Sequence, residues 1–222
     1  MGDQMADKTM EKYRVIRTLQ AELKSLKSEA LEGFTVNCDE QNMFSWTVGL
    51  FGPPDTLYQG GYFKAILQFP TNYPFAPPSF RFITKIWHPN VYMDGNVCIS
   101  ILHSPGHDAH SGENATERWN PTQNVRTILL SIISLLNEPN ISSPANVSAS
   151  VAFKKWKETG GKSDEFAKIV KKNVEDSKLE AAKDGVKVPE TVHDYCTKNK
   201  PVISDSINNY SFYNSDSDYD DF

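Results

Sequence analysis

From Lys8 to Ser28 the apolar residues Ile16, Leu19, Leu23 and Leu26 recur at spacings of three and four, which places them on one face of an amphipathic helix. Its other faces carry Lys8, Lys12, Arg14, Arg17, Lys24 and Lys27, a basic surface for solvent or for an acidic partner. The period then shortens. Phe44, Trp46, Val48 and Leu50 alternate with smaller or polar neighbours, and Phe63, Ala65, Leu67 and Phe69 repeat the alternation, as strands do. Between the two runs Gly52, Pro53, Pro54, Asp55, Gly60 and Gly61 supply closely spaced turn residues, so an antiparallel meander is predicted rather than parallel crossovers. Phe34 to Cys38 adds a strand before this pair and Phe80 to Phe82 one after. The Pro-rich link from Pro70 to Pro78 lacks ladder donors and is expected to leave the sheet as an exposed loop.

Beyond Trp119 the pattern turns helical. Asn120 is expected to cap a helix with Pro121 in its first position and Gln123 closing a capping box, and Val125, Ile128, Leu129, Ile132, Leu135 and Leu136 form its buried stripe before Pro139 ends it. A third helix is expected from Ser143 and Pro144 to about Lys157, carrying Val147, Val151 and Trp156. A fourth starts at Ser163, with Asp164 and Glu165 in its dipole-favoured first turn. Strands and helices segregated in this way predict an α+β fold with one core from about Lys8 to Ala182.

A chain of 222 residues suits one domain with an appendage, and its 39% hydrophobic content suits a core diluted by a polar segment. No apolar run approaches the ~18 residues of a membrane span, and Met1 to Met10 lacks the apolar stretch of a secretory signal, so a cytoplasmic and nuclear location is predicted. Cys38, Cys98 and Cys196 form no metal-like pair and are expected as free thiols. Without an export signal the glycosylation-type triplets at Asn114, Asn140, Asn146 and Asn209 are read as unused. Ala6 stands where a myristoylation motif on Gly2 needs Ser or Thr.

Charge sharpens the appendage. Pro201 to Phe222 hold Asp205, Asp216, Asp218, Asp220 and Asp221 and no Lys or Arg, so this stretch accounts for the whole net charge of −5. Acids interleaved there with Tyr210, Phe212, Tyr213, Tyr219 and Phe222 predict a disordered tail with a basic partner, or one that serves solubility alone. A neutral core and a negative tail exclude a nucleic-acid binder, and no Gly-Lys phosphate loop is present for ATP.

Chemistry concentrates between Lys85 and Trp119, a stretch without helical or strand periodicity. It holds His88, Pro89 and Asn90, a tight turn at Asp94 and Gly95, and Cys98 between Val97 and Ile99. Spacing alone makes Cys98 a buried strand cysteine, since a free thiol packs as a small hydrophobe. His103, His107 and His110 with Cys98 invite a metal reading, but the spacing matches no standard closed site and no metal is assigned.

His88, Pro89, Asn90, the Asp94–Gly95 turn and Cys98, with the Pro-rich segment Phe69 to Phe80 ahead and Trp119 to Pro121 behind, resemble the active-site signature of ubiquitin-conjugating enzymes. The resemblance spans Lys8 to about Ala182 and implies that family's fold: an N-terminal helix, a four-stranded antiparallel meander, then C-terminal helices. The stretch His103 to Arg118 resembles an insertion that shorter members lack. Together with the acidic tail, it is similar to the cell-division-cycle enzymes that serve cullin-RING ligases. Residues 183–222 then form a C-terminal extension, its tail beginning near residue 201.

The resemblance implies that Cys98 takes ubiquitin as a thioester from an activating enzyme and passes it to a lysine, building degradation-type polyubiquitin chains. A thiolate is both a good nucleophile and a good leaving group, whereas serine would stall as an ester. A lysine amine is only about 0.04% neutral at pH 7, so its deprotonation needs help. By the same resemblance Asn90 stabilises the oxyanion or holds the loop that does, and His88 braces the loop rather than acting as base, with Tyr92 packed beside it. Ser143 orients the lysine at the mouth, in competition with a role as helix cap.

Asp108, Glu113 and Glu117 are implied to position the acceptor ubiquitin. His107 stands where close relatives carry a second aspartate beside Asp108, which implies pH-sensitive acceptor use. Docking of the ligase and activating enzyme is carried over to Lys12 and Arg14 on the first helix, Phe75 and Pro121, and the donor face to Leu130 and Ser134. No cofactor is implied, ATP being consumed by the activating enzyme upstream. The tail would attract a basic cullin surface, and Ser215 and Ser217 are candidate phosphorylation sites. Partners are thus ubiquitin, an activating enzyme and a RING ligase, with no nucleic acid and no membrane. The rival readings are a non-catalytic module on the same fold, against which Cys98 with Asn90 argues, and conjugation of a different ubiquitin-like modifier.

Overall fold

A computed structural model describes residues 2–28, 33–106 and 112–196. Helix α1 (Gly2–Ser28) begins before Lys8, where the apolar period starts, and buries Val15, Leu19 and Leu26 with Ile16 and Leu23 half-buried beside them. The four predicted strands form one antiparallel sheet in sequence order: β1 (Phe34–Cys38), β2 (Ser45–Phe51), β3 (Tyr62–Gln68) and β4 (Ser79–Phe82). Val36 pairs with Val48, Val48 with Ala65 and Ala65 with Phe82, a row that crosses all four strands. Because side chains alternate faces, Trp46, Val48, Leu50, Phe63, Ala65, Leu67, Phe80 and Phe82 all enter the core. The α+β order, helix then meander then helices, is the one predicted.

Helices α2 (Val125–Asn137), α3 (Val147–Glu158), α4 (Glu165–Lys183) and α5 (Val192–Cys196) follow. Their starts correct the expectations. Asn124, not Asn120, caps α2, in a reciprocal box with Thr127. Asn120 instead makes a turn of its own, its carboxamide oxygen accepting from the Thr122 amide and its carbonyl from the Gln123 amide. Pro121 therefore lies in a turn ahead of the helix. The α2 stripe is buried as predicted, with Leu135 half-buried.

At α3 the cap is Asn146, whose side chain accepts from the Ala149 amide, rather than Ser143. With the start moved by three residues, Ala149, Ser150 and Ala152 face inward and Val147 and Val151 face solvent. Trp156 joins Phe153 and Phe166 in an aromatic cluster that fastens α3 to α4. The α4 cap is Asp164, not Ser163, and it makes no side-chain capping bond but pairs with Lys168 at 2.7 Å.

The chain past α4 returns to the sheet. Ser177 accepts from the Tyr62 amide at 3.0 Å, and Asp184 receives the Tyr62 hydroxyl at 3.1 Å and Lys64 at 2.8 Å. Val186, Val188 and Tyr195 then pack on Phe51, Tyr62 and Ala181. The acidic tail, with Ser215 and Ser217, lies outside the described residues. Among the described residues no helix is long and apolar enough to cross a membrane.

Candidate active site

The turn after β4 is held by its own polar groups. His88 is fully buried; its Nε2 donates to the Leu135 carbonyl near the end of α2 at 3.0 Å and its Nδ1 accepts from the Asn90 amide at 2.9 Å. Burial lowers its pKa to about 4 against the opposing bond to Leu135, so the ring is neutral near pH 7. With both nitrogens engaged and no path to solvent it braces the turn and cannot reach a substrate proton. The ring beside it is Tyr58, at 5.9 Å between centroids, rather than Tyr92. Gly95 closes the turn with φ +91°, and a Cβ there would stand 2.1 Å from the Phe82 carbonyl oxygen, so no other residue fits.

Asn90, 1% exposed, links three segments. Its carboxamide oxygen accepts from the Asn140 amide at 2.9 Å, and its Nδ2 donates to the carbonyls of Asn140 at 2.8 Å and Ser143 at 3.3 Å. Its own carbonyl accepts from the Cys98 amide at 3.0 Å. One residue thereby fixes the backbone at Cys98 and the loop 138–146 across from it. Both polar atoms of the Asn90 carboxamide are thus bonded to the loop. Ser143, released from capping by Asn146, is exposed on that loop. Pro89 completes the tie, its carbonyl accepting from the Asn146 amide at 2.8 Å.

Cys98 is not a buried strand cysteine. It follows the isolated bridge Val91–Val97, outside the sheet, with a half-exposed side chain. Tyr92 belongs here: its phenol is held above its ordinary pKa first by the charge of the Cys98 thiolate, then by burial and by a hydrogen bond to Cys98. On another side the Nε2 of His103 lies 3.9 Å from the sulfur. The His103 Nδ1 meets the Glu113 carboxylate at 2.8 Å, which also accepts from the Ser100 hydroxyl at 3.0 Å and forms an ion pair with Arg118, its Nε 3.2 Å away. Burial raises the pKa of Glu113, but the bonds from His103 and Ser100 and the charges of His103 and Arg118 outweigh it, so the carboxyl sits below its ordinary value and is ionised.

The predicted acidic loop divides accordingly. Glu113 faces His103, Ser100 and Arg118, whereas Glu117 is exposed. Asp108, His107 and His110 lie outside the described residues. Sequence reasoning missed the pairing of His103 with Glu113, ten positions apart in a segment without periodicity. The signal that could have found it is the histidine five residues after the cysteine.

The expected docking residues are surface residues. Phe75 is 70% exposed, and Lys12, Arg14 and Pro121 are exposed. Their elements are tied by Glu22 of α1, whose carboxylate accepts from the Tyr73 hydroxyl at 2.6 Å and from the Val125 amide at 2.8 Å, and by Trp119, which donates to the Pro74 carbonyl at 2.7 Å. Leu130 and Ser134, one turn apart, are exposed on the outer face of α2.

Comparison with known proteins places this geometry among relatives. A family model described as ubiquitin-conjugating enzyme matches residues 18–174. The chain is 54% identical over 160 residues to ubiquitin-conjugating enzyme E2 13 of Arabidopsis thaliana, a match covering 72% of this chain and 93% of the relative. It is 52% identical over 132 residues to probable ubiquitin-conjugating enzyme E2 7 of Caenorhabditis elegans, covering 59% and 80%. The solved structure of human ubiquitin-conjugating enzyme E2 G1 shares 47% identity over 55% of this chain and 93% of that one, with a TM-score of 0.49.

Proposed function

The chain belongs to the ubiquitin-conjugating enzymes, a family of transferases, and on that premise we propose that Cys98 is the residue that carries ubiquitin as a thioester and passes it to a lysine. The observation that carries this assignment is a half-exposed thiol whose backbone amide is fixed by Asn90, inside the segment that matches the family model. Loading breaks the thioester of the activating enzyme and forms one at Cys98, and transfer forms an isopeptide bond with the thiolate as leaving group. Ser143 orients the incoming lysine from the loop that Asn90 holds.

The finer reading is a chain-building enzyme that works with cullin-RING ligases. The insertion that follows Cys98 in the sequence supports it, since a segment carrying the acids Asp108 and Glu117 suits a basic acceptor surface. The charge of −5 in residues 201–222 supports attraction to a basic ligase surface, with an encounter rate that falls as salt rises. Docking of the activating enzyme and ligase uses Lys12, Arg14, Phe75 and Pro121, and Leu130 with Ser134 contacts the donor. Products are degradation-type polyubiquitin chains, made in the cytoplasm and nucleus. No cofactor binds this chain, and ATP serves the activating enzyme.

Intact mass measured without reductant, after incubation with activating enzyme, ubiquitin and ATP, tests the assignment. One ubiquitin added and lost on thiol treatment is expected, with Cys98→Ser giving a thiol-resistant ester. An adduct unaffected by Cys98→Ser, or no adduct from folded protein, would overturn it. Deleting residues 201–222 is expected to slow cullin-RING turnover at physiological salt, and unchanged turnover would remove the tail from the account.

A further inference from the structure

Transfer to lysine requires that an amine protonated at neutral pH lose its proton beside the thioester. His88 is excluded by burial, and Glu113 is engaged by hydrogen bonds from Ser100 and His103 and by the charge of Arg118. Among the described residues His103 remains, with Nε2 at 3.9 Å from Sγ and about a third of its side chain exposed. An ionised carboxylate only accepts, so Glu113 fixes the proton of the ring on Nδ1 and leaves the lone pair of Nε2 toward the sulfur. A reacting sulfur, an imidazole within reach of it and a carboxylate orienting that imidazole form the pattern of an activated nucleophile and its base, and such contacts are commonly longer before substrate arrives.

We propose that His103, oriented by Glu113, is the general base of the transfer step, an inference that rests on Cys98 carrying the thioester. Nε2 of His103 first takes one proton from the lysine ammonium and gives it up to solvent; the neutral nitrogen then attacks the thioester carbonyl and a nitrogen–carbon bond forms, leaving a second proton to be removed. The amine proton passes to Nε2 of His103, the carbon–sulfur bond breaks with its electron pair leaving on Sγ, and the imidazolium returns the proton to the thiolate. Among the described residues the titratable and charged groups around the ring are Glu113, with Arg118 paired to it, from the insertion and Cys98 with its neighbour Tyr92 from the site turn. Glu113 is a positioning residue here: it touches the base, not the reacting atoms. Ser100, in the 3₁₀ turn Ser100–Leu102, and Arg118 hold the carboxylate in place.

The test is single-turnover discharge of the full chain, pre-loaded with ubiquitin and freed of activating enzyme and ATP, onto free lysine across roughly pH 5–8, the range in which histidine side chains change charge. The logarithm of the wild-type rate should break by one unit of slope within that range. His103→Gln should lack the break and fall by about 10²-fold at pH 7, at the low end for general bases. Glu113→Gln should retain the break at a lower rate, and added imidazole should restore discharge by His103→Ala in proportion to its concentration. A variant profile parallel to wild type at every pH, or no rescue by imidazole, would overturn the inference while leaving the thioester intact. A protein that never loads would overturn the function and the inference together.

Discussion

His88 and His103 lie on either side of Cys98, ten residues before it and five after. Each has both ring nitrogens engaged, but with opposite partners. His88 bonds two backbone groups in full burial, whereas His103 meets a thiol and a carboxylate at a surface it partly shares with solvent. Burial with backbone partners removes a histidine from proton chemistry and makes it part of the scaffold. Partial exposure with a carboxylate behind the ring leaves one nitrogen basic and reachable. The same residue type thus builds the site on one side and serves its chemistry on the other.

Substitution on the scaffold side is expected to have the largest effect. Asn90→Ala would leave the amide and carbonyl of Asn140 and the carbonyl of Ser143 without its bonds, a loss of at least about 3 kcal/mol at about 1–3 per group. Urea unfolding reads it; unchanged stability would mean that Asn90 does not hold the loop.

Acid sharpens the comparison further. His88 is neutral when folded, with a pKa near 4 against 6.5 when free. Its contribution is fully present above pH 6.5, declines as the unfolded chain takes up the proton between pH 6.5 and 4, and levels off below that. The loss is on the order of 3 kcal/mol, seen as a falling melting temperature that His88→Gln would not share.

The loop across from Cys98 separates structure from chemistry on a smaller scale. Asn146→Ala should cost about 1 kcal/mol as a lost cap. Ser143→Ala should cost less than about 0.5 kcal/mol while slowing transfer. Equal melting losses for the two would contradict the capping assignment. On the exposed side Glu113→Gln should shift stability by no more than about 1 kcal/mol, as expected of a partly solvated ion pair. A larger loss would make the insertion part of the scaffold.

Much of the scaffold was legible because periodicity is local. Alternation at Trp46, Val48 and Leu50 and at Phe63, Ala65 and Leu67 located the two central strands and their buried face. Helix starts were less legible. Pro121 and Pro144 drew the expected caps to Asn120 and Ser143, while Asn124 and Asn146 do the work because their side chains reach the first-turn amides. On α3, Val147 and Val151 lie at the surface. Within the site, the motif from His88 to Cys98 was readable through its resemblance to a known family. The contact of Tyr92 with Cys98 and the His103–Glu113 pair were not, because a turn and an irregular insertion bring them together without a sequence period.

The central claim, that burial divides the two histidines into brace and base, is tested most directly by titrating the ring nitrogens of the full chain by NMR, before and after alkylation of Cys98. The account predicts that His88 keeps its proton on Nε2 and stays neutral down to about pH 4, indifferent to alkylation, while the His103 signals move when the thiol is blocked. A His88 ring that takes up a proton at the ordinary 6.5, or that responds to alkylation while His103 does not, would contradict it.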